Sequence, residues 1–125
     1  MVCKDVLPIL PDTEKYALAA QLRRSVQSIP ANIAEGHGRF YFQDNVRFCY
    51  IARGSLEETR SHILLAHRLG YLTNDQLMPV IQLIEEVRRL INGYIAHLKL
   101  RKPGSNEPGA AIHEDGAVYL TDLDE

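Results

Sequence analysis

The sequence predicts an all-α protein, and three observations indicate this fold class. Apolar residues recur at the 3.6-residue spacing of amphipathic helices along three long stretches, 18–33, 49–66 and 77–98. The segments between them contain the Gly and Asn residues typical of helix ends. No convincing strand pattern lies between them. The chain has 125 residues, 46% of them apolar, so we expect one helical domain at 1–102, followed by an acidic linker and tail at 103–125.

The first long helix is predicted to begin at Asp12 or Thr13, whose side chains suit an N-cap, and to end at Gly36 and Gly38, which suit a left-handed C-cap. Pro30 removes one backbone donor and is expected to bend this helix one turn earlier. A row of small polar residues flanks the apolar stripe, and it either contacts another helix closely or is a solvated flank. The row consists of Gln21, Ser25, Ser28 and Asn32.

The second helix is predicted from about Gln43 or Asp44 to Leu69, with Gly70 at its C-terminal end. Besides its main apolar stripe it has a second set on the opposite side. Such a helix either sits centrally in its own bundle or lends one face to a partner chain. Gly in mid-helix costs about 1 kcal/mol relative to Ala, so we expect the glycine of this set to permit close approach of another helix. The set consists of Ile51, Gly54, Leu65 and Leu69.

The third helix has the cleanest apolar stripe, which runs from Leu77 to Leu98. The preceding residues 73–76, Thr-Asn-Asp-Gln, form a capping-box pattern. The Pro- and Gly-rich residues 102–109 read as a linker, and we expect order to end there. A weak hairpin about Asp115 and Gly116 is the one structure that the tail pattern favours.

Charge divides the chain into two parts. All fourteen Lys and Arg residues lie between Lys4 and Lys102 together with ten acidic residues, whereas the segment from Pro103 onward has six acidic residues and no Lys or Arg. The basic part either attracts a polyanion, for which the tail competes, or is unremarkable, with a tail that aids solubility. We predict that the tail folds back over the basic face in a salt-sensitive way.

The location predicted from the sequence is the cytoplasm. The longest apolar run is far shorter than the roughly 20 residues that a membrane span needs, so we expect no membrane association. The N-terminus has no pattern of a secretory signal. Cys3 and Cys49 stand far apart, which argues against a disulfide framework.

The ionisable residues show no pattern typical of a metal site or of a catalytic site. The five histidines lack metal-ligand spacing, so we expect no metal and no cofactor. No nucleophile, base and orienting group can be assembled, so we expect no catalytic residues and no enzyme. The carboxylates of Glu35, Glu57 and Glu58 favour ion pairs with Arg23, Arg24, Arg53 or Arg60 over acid-base work.

The arginines are more suggestive, because guanidinium forks bind phosphate in a bidentate way. Arg53, Arg60 and His67 recur every seven residues, and the remaining candidates are expected to cluster near the corner between the first two long helices. The adjacent aromatic residues 40–42 either stack on unpaired bases or plug the bundle end. The candidate nucleic-acid-binding residues are Arg23, Arg24, Arg39, Arg47, Arg53 and Arg60.

Two stretches are specific enough to carry a resemblance. They are Glu-Lys-Tyr-Ala-Leu at 14–18, which leads through Gln-Leu-Arg-Arg at 21–24 to Ser-Ile-Pro-Ala-Asn-Ile-Ala-Glu-Gly at 28–36, and Ile-Ala-Arg-Gly-Ser-Leu-Glu-Glu at 51–58. Together they closely resemble the bacterial four helix bundle proteins, also known as 23S ribosomal RNA intervening-sequence proteins. The resemblance covers about residues 5–100.

The resemblance implies an antiparallel up-and-down four-helix bundle that assembles into a homopentamer. The family is similar to the accessory variability determinant proteins that partner reverse transcriptases in diversity-generating retroelements, which suggests binding of nucleic acid without catalysis. The resemblance implies that Arg23, Arg24, Arg39 and Arg53 contact the nucleic acid. It also implies that helix packing is fixed by Asn32, Glu35, Gly54 and Ser55.

The N-terminus departs from the family pattern, in which the first helix begins well upstream of Glu14. Here thirteen residues precede Glu14, so we expect a first helix shortened to a stub. Either the start codon is misplaced or a partner covers the groove left in the bundle. The function predicted is a non-enzymatic RNA- or DNA-binding accessory protein that acts as an oligomeric bundle. The alternative is an oligomeric scaffold for protein contacts alone.

Overall fold

The computed structural model describes residues 6–9 and 17–101. A one-turn 3-10 helix, Leu7–Ile9, precedes α1 (Leu18–His37), α2 (Phe42–Arg68) and α3 (Asn74–Arg101). The described residues contain no strand, so the all-α prediction is confirmed, with three long helices. The predicted helix start at Asp12 or Thr13, the linker, the tail and its weak hairpin lie outside the described residues.

The three helices follow one another in antiparallel order, as the short connections at 38–41 and 69–73 require. Helix α1 packs closely against α2, and α3 packs against an adjacent side of α2. In contrast, α1 and α3 have almost no direct contact with each other. Helix α2 is therefore the central element, and the side between α1 and α3 is open.

The core consists of the apolar stripes predicted for the three helices. Leu22 of α1, Val46 and Ile63 of α2 and Ile95 of α3 are almost completely buried. Val6, from the N-terminal turn, joins this cluster. Since burying one such side chain is worth about 1.5–3 kcal/mol, the shared core holds the helices together.

Small polar residues join α1 to α2. The hydroxyl of Ser25 is buried and donates to the carbonyl oxygen of Leu22 at 3.0 Å. The Oγ1 atom of Thr59 lies 2.9 Å from both Ser25 Oγ and the carbonyl oxygen of Ser55. Because buried hydroxyls need such partners, this hydrogen-bonded contact is built into the α1–α2 interface.

The network continues one turn along α1. The hydroxyls of Ser28 and Ser55 are 2.7 Å apart, and the side-chain amide of Asn32 donates to the Ser28 hydroxyl at 2.8 Å. The contact interpretation of the polar row is thus confirmed for Ser25 and Ser28, whereas Gln21 is exposed.

The end of α1 corrects one prediction. Gly38 has φ −79°, and Gly70 is the one described glycine with positive φ, at 86°. Gly36 lies inside α1, where an added Cβ would come within 2.8 Å of Phe48 Cβ and 2.9 Å of Asn45 Oδ1. Gly36 is therefore required for the close approach of α1 and α2, and no left-handed cap forms there.

Gly54, unlike Gly36, does not lie at a close helix contact in the described residues. It is exposed, and an added Cβ would meet no atom within 4 Å, so the expected close helix contact is absent from the described residues. The reason is that its side of α2 faces away from α1 and α3. Ile51, Leu65 and Leu69 share this side and are 46%, 45% and 50% exposed.

The ends of α2 and α3 agree with the sequence to within about two residues. Gly70 follows α2 in the left-handed conformation that a glycine tolerates. The capping box is confirmed, because the Thr73 N–H donates to Gln76 Oε1 at 2.9 Å and the Gln76 N–H donates to Thr73 Oγ1 at 3.2 Å. Both Pro30 and Pro79 lie inside continuous helices.

Candidate nucleic-acid interface

The six candidate arginines do not form one cluster. Arg23 and Arg24 are exposed near the start of α1. Arg39 lies in the loop after α1, and Arg47 lies in the second turn of α2. With a rise of 1.5 Å per residue, Arg24 is roughly 20 Å along α1 from that loop. The expected clustering of all four at the corner is therefore wrong.

Arg39 and Arg47 take part in local ion pairs. Arg39 Nη2 donates to Glu35 Oε2 at 2.9 Å, and its guanidinium lies 5.0 Å from the centre of the Phe48 ring. Arg47 Nη1 is 4.0 Å from Asp44 Oδ1. Both pairs are exposed, so they are individually weak and leave donors available.

The seven-residue row on α2 faces α3. Arg53 Nη1 donates to Asn92 Oδ1 at 2.9 Å, and the guanidinium lies 5.5 Å from the centre of the Tyr50 ring. His67 Nε2 is 2.7 Å from Asn74 Oδ1. The Nε atom of Arg60 is buried without a hydrogen-bond partner among the described residues. This row therefore lines the boundary between α2 and α3, and it is not an open basic face.

An ion-pair cluster centred on Arg88 was missed by sequence reasoning. Arg88 bonds both carboxylate oxygens of Glu57 across the helices and also pairs with Glu85. The hydrogen bond from Arg88, helped by its charge and that of Arg60, holds the pKa of Glu85 below its usual range. The three-residue spacing of Glu85 and Arg88 was a visible signal. The partner predicted for Glu57 was a different arginine, so that prediction is corrected.

A cavity of about 300 Å³ lies where α1 ends, α2 begins and α3 ends, and we call it the basic-aromatic pocket. Phe40, on its edge, is 86% exposed, whereas Phe42 is buried. The rings of Phe40 and Tyr41 meet edge to face with their centres 5.0 Å apart. Phe42 thus plugs the core, and Phe40 is the ring open to solvent. The pocket is lined by His37, Arg39, Phe40, Tyr41, Phe42, Asn45, Tyr94, His97, Leu98 and Arg101.

A second cavity, of about 600 Å³, is the α1–α3 groove. Its lining is almost entirely apolar, and Leu90 on its edge is 72% exposed. The groove exists because α1 and α3 both pack on α2 and hardly touch each other. It is lined by Ile29, Pro30, Ile33, Ala34, His37, Val87, Leu90, Ile91 and Tyr94.

Cys49, a free cysteine, is buried in the core. Burial raises the pKa of the Cys49 thiol to about 11, so the thiol stays protonated at neutral pH. His62 pairs with Glu58 at 3.3 Å. Within residues 6–9 and 17–101, no three His, Cys, Asp or Glu side chains gather as a metal site. Cys3 and His113 lie outside this part of the chain.

Comparison with protein families identifies the family of the chain. A family model described as 23S rRNA-intervening sequence protein matches residues 2–93. The chain belongs to this family. The matched region covers α1, α2 and most of α3, so the family's pattern extends over the α1–α2 interface and most of the α1–α3 groove. No curated protein matches the chain. None of the helices in the described part is long and apolar enough to cross a membrane.

Proposed function

We propose that this member of the family is a non-enzymatic accessory protein of the cytoplasm that binds RNA or DNA through the exposed face of α1. The observation that supports the proposal is the adjacent pair Arg23 and Arg24. Both are exposed, and the one carboxylate of α1, Glu35, lies eleven residues beyond Arg24 and bonds Arg39. Neither positive charge is neutralised from within its own helix.

The physical basis is phosphate binding. Each guanidinium offers a planar fork of donors that matches two phosphate oxygens, and each phosphate contact releases condensed counterions. The described residues contain eleven Lys and Arg against seven Asp and Glu, so the field close to this part of the chain favours a polyanion, while the whole chain carries a net charge of −2. Affinity that falls steeply with salt is the expected signature.

The test is fluorescence anisotropy with a structured RNA and an unrelated single strand, titrated at several salt concentrations. In the Arg23→Ala/Arg24→Ala variant we expect the slope of log affinity against log salt to fall by about 1.4 on the single strand, because two phosphate contacts are lost. Arg68→Ala, also exposed but at the end of α2, is the matched control. Flat, millimolar binding at the lowest salt, or an equal loss in the control, would contradict the proposal.

A second function, as an oligomeric protein scaffold, is favoured by the α1–α3 groove. An apolar surface of this kind marks a site of protein contact. We propose that a fourth helix occupies the groove and completes a four-helix bundle, and that the bundles assemble into the homopentamer implied by the resemblance. A partner protein such as a reverse transcriptase is part of the same proposal.

Native mass spectrometry tests the scaffold role. We expect the intact protein to give the mass of a pentamer, and any extra N-terminal residues to appear in the subunit mass. Leu90→Ser, at the edge of the groove, is expected to shift the population towards smaller species. Leu100→Ser, which changes a residue that is 86% exposed and does not line the groove, is the control. A monomer in the unaltered protein would remove this second function.

A further inference from the structure

We propose that the basic-aromatic pocket binds one unstacked nucleotide of a single strand, with its base against Phe40 and its phosphate at Arg39 and Arg101. This inference rests on the proposed nucleic-acid function and adds a second contact to it, at the opposite end of α1 from Arg23 and Arg24. The size, the aromatic surface and the charge of the pocket support this assignment.

The size of the pocket suits a small ligand. Its volume of about 300 Å³ lies at the lower end of the usual range for small-molecule sites. A nucleotide in a duplex is paired and stacked, and its base is not free to enter such a cavity. The pocket is therefore selective for a nucleotide of a single strand or an unpaired loop.

The aromatic surface is provided by the α1–α2 connection. Phe40 is 86% exposed, and its edge-to-face contact with Tyr41, at an interplanar angle of 74°, orients the ring. The hydroxyl of Tyr94 lies 3.3 Å from both Asn45 Nδ2 and His37 Nδ1. These two contacts hold the Tyr94 hydroxyl in the wall of the pocket. Stacking on an aromatic ring accepts any base, because every base has a π-face.

The charge of the pocket is that of an anion site. His37, Arg39, His97 and Arg101 line it, and none of its lining residues is Asp or Glu. Arg39 and Arg101 carry the positive charge of the pocket, and α2 begins here with the positive end of its dipole, whereas α1 and α3 end here with their negative ends. Arg39 uses one of its nitrogens on Glu35 and keeps further N–H donors for a phosphate oxygen.

The experiment compares an eight-nucleotide adenine single strand with an RNA hairpin by fluorescence anisotropy. In Phe40→Ala we expect the affinity for the single strand to fall about ten-fold, the effect of losing one stacked base, with little change for the hairpin. Leu100→Ala is the matched control, since Leu100 is equally exposed, at 86%, and does not line the pocket. Thermal unfolding of both variants verifies that the fold is retained.

A titration with adenosine 5′-monophosphate, followed by NMR, locates the contact. We expect shifts of the ring signals of Phe40, Tyr94 and His97, and much weaker shifts with inorganic phosphate alone.

Two results would contradict binding at the basic-aromatic pocket. One is a loss of affinity in Leu100→Ala equal to that in Phe40→Ala, and the other is shifts confined to the α1–α3 groove. If RNA still binds through Arg23 and Arg24 while Phe40→Ala has no effect, the pocket fails and the proposed function stands. If the mononucleotide binds while the α1 variant changes nothing, the α1 interface fails instead.

Discussion

Helix α2 is held on its two sides by different chemistry. Towards α1 it presents short side chains, and the buried hydroxyls of Ser25 and Thr59 meet at 2.9 Å. Towards α3 it uses long polar side chains, such as Arg53 on Asn92 and Glu57 on Arg88. The closely packed pair α1–α2 is thus joined by short side chains and their hydrogen bonds. The less closely packed pair α2–α3 is bridged by long, partly solvated side chains.

The largest effect is expected at Gly36, where the α1–α2 contact is tightest. In Gly36→Val the new Cβ alone would lie 2.8 Å from Phe48 Cβ, so we expect the free energy of unfolding to fall by about 2–3 kcal/mol. Urea unfolding followed by circular dichroism measures this change. Gly54→Ala is the control, because its Cβ meets nothing and should stabilise the helix by up to about 1 kcal/mol. Equal effects at both positions would contradict a tight α1–α2 crossing.

An intermediate effect is expected from the hydroxyl network. Thr59→Val keeps the shape of the side chain and removes its hydrogen bonds, which we expect to cost about 1 kcal/mol. In a double-mutant cycle with Ser25→Ala, the two changes should be coupled by at least about 0.5 kcal/mol, because the residues share one bond. Additive losses would show that the hydroxyls act independently.

The smallest effect is expected on the α3 side. Ion pairs that solvent reaches contribute little because water and salt screen them, so Arg88→Met should lower stability less than either α1–α2 variant, and less still at high salt. Because the pKa of Glu85 is lowered in the folded state, the pair contributes above the ordinary pKa of a glutamate and is lost as the pH falls through the lowered value. The difference between Arg88→Met and the unaltered protein should therefore be present at pH 7 and vanish well below pH 4. A difference that persists in acid would show that Arg88 acts by packing alone.

Much of the fold could be predicted from local patterns. The capping box at Thr73 and Gln76 and the apolar stripes depend on residues close in sequence, and both are confirmed. The role of Gly36 could not be separated from that of a C-cap, because both uses favour glycine near a helix end. Only the crossing with Phe48, twelve residues later, distinguishes them.

The candidate site was less accessible to sequence reasoning. The seven-residue repeat of Arg53 and Arg60 shows that they share a side of α2, yet the repeat does not tell which neighbour that side meets. Similarly, Arg39 and Arg101 line one pocket although they are more than sixty residues apart. Such a juxtaposition depends on the path of the whole chain, for which a single sequence carries no local signal.

The position of Gly36 also fixes how α1 and α2 are aligned along their length. Sliding one helix past the other by a single turn, about 5.4 Å, would bring Asn32 or Ile33 to the place where even a methyl group is too large. The same displacement would separate Ser25 from Thr59. Sliding is therefore opposed by both repulsion and lost hydrogen bonds, and the α1–α2 pair provides a fixed frame from which the positions of α3 and of any ligand are set.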